Sequence, residues 1–431
     1  MTTTLAQYTI KPITKKDIDE RPVFNIPLIS DNIKIIDSRH LKDFKDQTFG
    51  GYKLSQASTA LDKAILEDKI EPALHWTLQL FLSGILSPLW NKFISIASKS
   101  INIYNPKLPE FLYNKTKQWD AIIDCGKFTK DNILLLRNHP AIRLLLAEMV
   151  SILCLSRKRK LNTLPRIKKE EFIIDNFKSK LEAKDNRLIT DICIDGDPSE
   201  IRIAINEMAN HIYYCKTMKA LYWLNWIIEW EKVNSKKYGK YECGMRGVPG
   251  VDGKYFKDVV WLIWSTINKV CQNKFGFGSD NSNGSGNGNI VEQVSYLYKM
   301  YCSKFTPGTR GKKQNLIIWA ILYMTETIDN AVPLIDRPQI LFQSMLGFDK
   351  IVVSLKSQEV HHVVNNDLVN VIVENNYMKP ATYKELEAHQ LALKKEKELK
   401  EQELLAKKRN INVQSMNKLN DIYKLDRMMY A

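Results

Sequence analysis

Apolar residues recur at helical spacing along most of the chain. Leu54, Ala57, Leu61, Ala64 and Ile65 fall on one helical face. Pro72 predicts the start of a second helix, filled by Ala73, Leu74, Trp76, Leu78, Leu80 and Phe81 and ended by Ser83-Gly84. Pro88 predicts a third, with Leu89, Trp90, Phe93, Ile94, Ile96 and Ala97. Further helices are expected around 111–123 and 140–155. A second apolar block runs from about 201 to 329 and carries Trp223, Trp226 and Trp230 at spacings of three and four, the pattern of a core-facing stripe. The glycines between Gly244 and Gly253 read as a helix–helix connection.

Other stretches break this pattern. Residues 1–50 contain Pro12, Pro22 and Pro27 and read as an extended N-terminal arm, with a strand expected at 33–36. Residues 157–200 form a basic connector, read as a solvated linker leading into a charged helix. Residues 276–289 are rich in Gly, Asn and Ser and are expected to be a flexible insertion between two helices. Residues 331–380 read as a small mixed region, because Ile351–Leu355 and Val369–Val373 are rich in β-branched residues and suggest short strands. Residues 381–431 read as a charged C-terminal helix and tail, with a thin line of leucines among i,i+4 charge pairs. The prediction is mainly α: helical blocks at 51–156 and 201–330 between these outlying segments.

The two blocks echo each other. Ala73-Leu74-His75-Trp76 matches Ala220-Leu221-Tyr222-Trp223 at an offset of 147 residues. At the same offset Ala57 meets Ala204, Leu61 meets Met208, and Ile65 meets Ile212. Residues 140–155 are paired with 315–328 in the same scheme. Whether this is a duplication or a shared helical periodicity stays open at this level.

Composition narrows the functional classes. The 431 residues carry 63 Lys+Arg against 48 Asp+Glu, a formal charge of +15, which raises the expectation of a polyanionic partner. The residues expected to contact phosphates are Arg157, Lys158, Arg159, Lys160, Arg166, Lys168 and Lys169 in the connector, Arg310, Lys312 and Lys313 in a basic turn, and Lys407, Lys408 and Arg409 in the C-terminal segment. Seven cysteines occur at wide spacing with no CxxC pair, which suits a reducing, intracellular setting and gives no zinc ribbon. No stretch reads as a signal peptide or a membrane span. Neither a P-loop, a dinucleotide fingerprint, HExxH nor GxSxG is present, so no catalytic residue, metal site or cofactor is predicted. The acidic group Asp191, Asp195 and Asp197 beside Gly196 reads as a solvated turn rather than a cation site.

One region resembles a known family. Residues 58–106 contain Ser58-Thr-Ala-Leu-Asp-Lys-Ala-Ile65, Ala73-Leu-His-Trp76, Leu80-Phe-Leu-Ser-Gly84, Leu89-Trp90 and Ile96-Ala-Ser-Lys-Ser-Ile101. This is similar to the helical C-terminal part of the replication-associated recombination ATPases, relatives of the clamp loaders. Ala147-Glu-Met-Val150 through Ser156 and Lys158 resembles a later helix of that family. The family's Glu-Asp is Lys99-Ser100 in this chain, and only about fifty residues precede the region where the family has its ATPase module. The resemblance therefore implies an assembly module of the clamp-loader-collar kind, used for oligomerisation and association with replication machinery, and not ATP hydrolysis. The Asn-, Lys- and Ile-rich composition also resembles that of proteins from large AT-rich DNA viruses. The expected function is a non-enzymatic accessory factor in DNA replication, recombination or genome handling. The alternative is a structural or assembly protein, such as a virion component, with protein partners or self-association through the helical blocks and C-terminal helix. No membrane partner is expected.

Overall fold

The computed structural model describes residues 33–361, apart from 127, 160, 162, 163, 174, 175, 177, 240 and 277–286. Its architecture is mainly α. The first block holds α1 (Leu54–Leu66), α2 (Ile70–Leu82), α3 (Leu86–Ile96), α4 (Leu108–Cys125) and α5 (Pro140–Leu155). The second holds α6 (Ser199–Tyr213), α7 (Thr217–Tyr238), α8 (Val259–Phe275), α9 (Asn287–Cys302) and α10 (Pro307–Thr325), and α11 (Pro338–Leu355) follows. Helix α1 is placed by a one-sided apolar stripe, whereas α10 buries every residue from Leu316 to Thr325 and lies in the core. In α1 the buried set is Ala57, Leu61, Ala64 and Ile65, one face at i, i+4, i+7 and i+8. In α2 Pro72 sits in the first turn, where its missing N–H costs nothing, and the helix stops at Gly84, whose φ of 75° puts it in the left-handed region. A Cβ at Gly84 would meet side-chain atoms of Leu41 and Leu134 at 2.7 and 2.9 Å.

The echo in sequence is an echo in structure. The α1–α2 and α6–α7 hairpins turn through one left-handed residue each, Asp68 (φ 58°) and Cys215 (φ 57°), again 147 residues apart. The same turn bonds close both: Lys69 N–H donates to Ala64 C=O at 2.9 Å, and Lys216 N–H to His211 C=O at 2.8 Å. Helix α5 packs on α1, α2, α3 and α4, and α10 packs on α6, α7, α8 and α9, so the last helix of each block occupies the same place. An ammonium closes each of these junctions, half-buried Lys158 in the first block and buried Lys274 in the second. Lys158 Nζ donates to Cys154 C=O at the end of α5 (2.9 Å) and pairs with Asp68 (2.6 Å). Lys274 Nζ donates to Met324 C=O at the end of α10 (2.8 Å), to Ile212 C=O (3.2 Å) and to Cys215 Sγ (2.9 Å). Both satisfy carbonyls that a helix C-terminus leaves free. The pairing of 140–155 with 315–328 is out of register: α5 runs Pro140–Leu155 as expected, but its counterpart α10 runs Pro307–Thr325, beginning well before 315 and ending before 328.

Four expectations are corrected. No strand forms at 33–36; instead the amide of Asn138 bonds the N–H and C=O of Ile35, both at 2.8 Å, so an amide side chain takes the place of a partner strand. Residues 33–50 are not a free arm, because Phe44 and Phe49 are buried under the guanidinium groups of Arg39 and Arg137 and Asp37 is buried between these two arginines. Residues 351–355 are helical: Phe348, Val352 and Leu355 are buried where α11 packs against α2 and α5, and this packing outweighs the β preference of Ile351-Val352-Val353. Among the described residues of the connector no long helix forms; short 3-10 turns occur at Lys169–Phe172 and Lys178–Lys180. Side chains of the second block fasten it there. Asn225 Nδ2 donates to Pro165 C=O (2.9 Å), Trp226 Nε1 to Glu171 C=O (3.0 Å), and Glu207 accepts the N–H groups of Glu182 and Ala183. The C-terminal helix expected at 381–431, the strand expected at 369–373, the N-terminal 1–32 and most of the 276–289 insertion lie outside the described residues.

Trp223 and Trp226 are buried, and Trp226 stacks on half-buried Trp230 at 5.0 Å, so the stripe of tryptophans is core. Apolar side chains of both blocks belong to one continuous cluster. The contacts between the blocks run through α4 with α9, and through α3 and the turns after it (97–104) with α10.

Candidate functional site

Beside those contacts a cleft of about 670 Å³ opens, within the range of ligand sites. Its first wall is α3, the turn after it and part of α4; its second is the end of α9 and the start of α10. Trp90 and Trp119 stack at 4.7 Å against this wall and are nearly fully buried, with Trp90 Nε1 donating to Thr116 Oγ1 at 3.1 Å. They support the cleft and do not offer faces on which bases could stack.

The charge around the cleft is predominantly positive, with Lys92, Lys99, Lys304, Lys312 and Lys313 facing only Asp62 and Asp120. Lys92 pairs with Asp62 (2.7 Å) and Lys304 with Asp120 (2.6 Å). Lys313 turns inward and donates to the last carbonyls of α9 and its following turn, at Met300, Tyr301 and Ser303. Burial opposes its charge and pushes its pKa down to about 8. All three of its protons are engaged, so it is a helix cap and not a free nucleophile. Lys99 and Lys312 are exposed and pair with no described carboxylate. They are the cations left to meet an anion.

Lys99 is held in an uncommon way. Ala97–Ile101 form a π-helical turn, a local widening that frequently marks functional positions, and Asn102 follows at φ 42°. The connector runs along this turn: Arg159 N–H donates to Ser100 C=O (2.7 Å) and Leu161 N–H to Lys99 C=O (2.9 Å). Asn102 Nδ2 donates to Arg159 C=O at 3.2 Å. The start of the basic connector is thus bonded to the wall that carries Lys99, and Arg157 is exposed there.

The structure divides the residues expected to touch phosphates. Lys312 lines the cleft, and exposed Arg157 lies next to the connector segment bonded to its wall. Arg166, Lys168 and Lys169 are exposed farther along the connector, near α7, and do not line the cleft. Four others do structural work. Lys158 caps α5. Arg159 pairs with Glu326 (2.6 Å) and lies over the Tyr104 ring. Arg310 is held by Glu231 (2.6 Å) and Asp258 (3.1 Å); burial works against its charge, but the two carboxylates outweigh it and hold its pKa above the ordinary arginine value. Lys313 is the cap just described. Lys160, Lys407, Lys408 and Arg409 lie outside the described residues. Sequence reasoning missed Lys92, Lys99 and Lys304, each an isolated lysine in its own segment; the one local signal was Lys99-Ser100 standing where the resembled family has Glu-Asp.

The acidic group is taken apart by cations, Asp191 pairing with Lys269 (3.1 Å) and buried Asp197 with Arg246 (2.6 Å). Among the described residues no group of three His, Cys, Asp or Glu side chains could hold a metal ion, and no helix is long and apolar enough to cross a membrane. No family model, no curated protein and no solved structure matches the chain.

Proposed function

We propose that this chain is a non-enzymatic, sequence-independent nucleic-acid-binding accessory factor in DNA replication, recombination or genome handling, and that the cleft grips phosphates. The observation that carries the reading is the pair of exposed, unpaired cations Lys99 and Lys312 on opposite walls of a lysine-rich cleft. A cleft of this size takes a few phosphodiester units of a single strand rather than a whole duplex. The resemblance to the clamp-loader-like helical module supports the same setting, and one of its departures, Lys99-Ser100 in place of an acidic pair, lies on the cleft wall.

Fluorescence anisotropy with a short single-stranded oligonucleotide of random sequence tests this. Affinity should fall steeply between about 50 and 200 mM salt, as counterion release requires. Absence of binding at low salt, or binding indifferent to salt, removes the proposal.

A second reading, a structural or assembly protein, has one observation in its favour. Phe342, Leu346 and Val353 are exposed on α11 and would suit a subunit contact. Light scattering that gives a monomer at all concentrations would count against it.

A further inference from the structure

Cys215 differs from the other cysteines whose side chains are described. It is exposed, whereas Cys154, Cys243, Cys271 and Cys302 are buried and Cys193 is half-buried. Burial pushes the thiols of Cys154, Cys243 and Cys271 up to about 12, which makes them inert. Cys215 instead sits at the left-handed turn between α6 and α7 with the Lys274 ammonium 2.9 Å from its sulfur.

Lys274 is only 8% exposed. Its other contacts are the carbonyls of Ile212 and Met324, and no described carboxylate pairs with it. A buried ammonium without an anion is costly. The first block shows what the position favours. There the matching turn residue is Asp68, and its carboxylate pairs with Lys158, the lysine that caps the matching helix end. Cys215 therefore occupies the anion position of a repeated junction.

We infer that Cys215 is a site of reversible oxidation by hydroperoxides, with Lys274 holding the oxidised sulfur. The Cys215 sulfur attacks one oxygen of the hydroperoxide. An S–O bond forms as the O–O bond breaks, and the departing oxygen takes the thiol proton and leaves as water or an alcohol. Sulfur loses two electrons and the peroxide gains them. The product is a sulfenic acid, whose ionised oxygen supplies the charge that Asp68 supplies in the first block. This inference stands apart from nucleic-acid binding, since neither residue lines the cleft.

The test treats the full-length protein at neutral pH with an equimolar amount of hydrogen peroxide in the presence of dimedone and reads each cysteine by peptide mass spectrometry. Labelling at Cys215 should exceed that at every other cysteine by about tenfold, and Lys274→Met should lower it by a similar factor. Equal labelling elsewhere, or labelling unaffected by Lys274→Met in a folded variant, overturns the inference. Should Lys274→Met fail to fold, Cys215→Asp and Cys215→Ser decide: the aspartate variant should melt above the serine variant because it restores the pair seen at Asp68, and a lower melting temperature overturns the inference.

Discussion

Asp197→Asn gives the sharpest test of what holds the second block together. Asp197 has a fully buried side chain, and both of its oxygens bind Arg246, at 2.8 and 2.6 Å. It also accepts the N–H groups of Ile194 and Gly244, each at 2.9 Å, so it fastens the end of the connector to the loop before α8. Breaking a buried ion pair from one side costs about 3–5 kcal/mol. The lower end applies, because Arg246 keeps the carbonyls of Ile192 and Gly244 and is not entirely buried. At about 2 °C per kcal/mol for a body of this size, the melting temperature followed by circular dichroism should drop by about 6 °C. The pH dependence has a definite sign. Burial alone would raise the Asp197 pKa, but Arg246 and the two N–H groups outweigh it and hold it below the ordinary aspartate value. Its contribution is therefore complete above the unfolded value, near pH 3.9, and is lost as the pH falls through the lower folded value. The variant should lose that part of the acid-side slope. A drop of less than about 2 °C, or an unchanged acid-side slope, would refute the reasoning.

Other substitutions separate structural from functional cations and test the core. Leu221→Ala removes a fully buried side chain from α7 and should cost about 2–5 kcal/mol in a urea titration, with an unchanged m-value. Arg310→Met leaves Glu231 and Asp258 facing each other without their cation and should cost about 3–5 kcal/mol, while the folded variant keeps its affinity for an oligonucleotide. A loss of affinity without a loss of stability would return Arg310 to the phosphate-contacting set.

Much of the fold is legible in the sequence. The stripe Ala57, Leu61, Ala64, Ile65 locates α1, and Pro140 and Leu155 bound α5 as the pattern predicts. The 147-residue offset, read from Ala-Leu-x-Trp, extends to the backbone angles of Asp68 and Cys215. Local pattern fails where distant packing decides. Ile351-Val352-Val353 prefer a strand by themselves, yet α2 and α5 offer a surface that only a helix can cover with Phe348, Val352 and Leu355. The site is less legible still. A cluster of basic letters such as Arg157 to Lys169 is conspicuous in sequence, but Lys158 and Arg159 are consumed by Asp68 and Glu326. Lys99 and Lys312 become one site only through the packing of α3 and α4 against α9 and α10.

The measurement that bears most directly on the proposed function is the salt dependence of oligonucleotide affinity for the wild-type chain and for Lys99→Glu/Lys312→Glu. Both lysines are exposed and unpaired, so the fold should be retained. If each neutralises one phosphate of a single strand, the slope of log K against log salt should become shallower by about 1.4, with affinity at low salt falling at least about tenfold. A slope and an affinity equal to those of the wild type would contradict the assignment of the cleft.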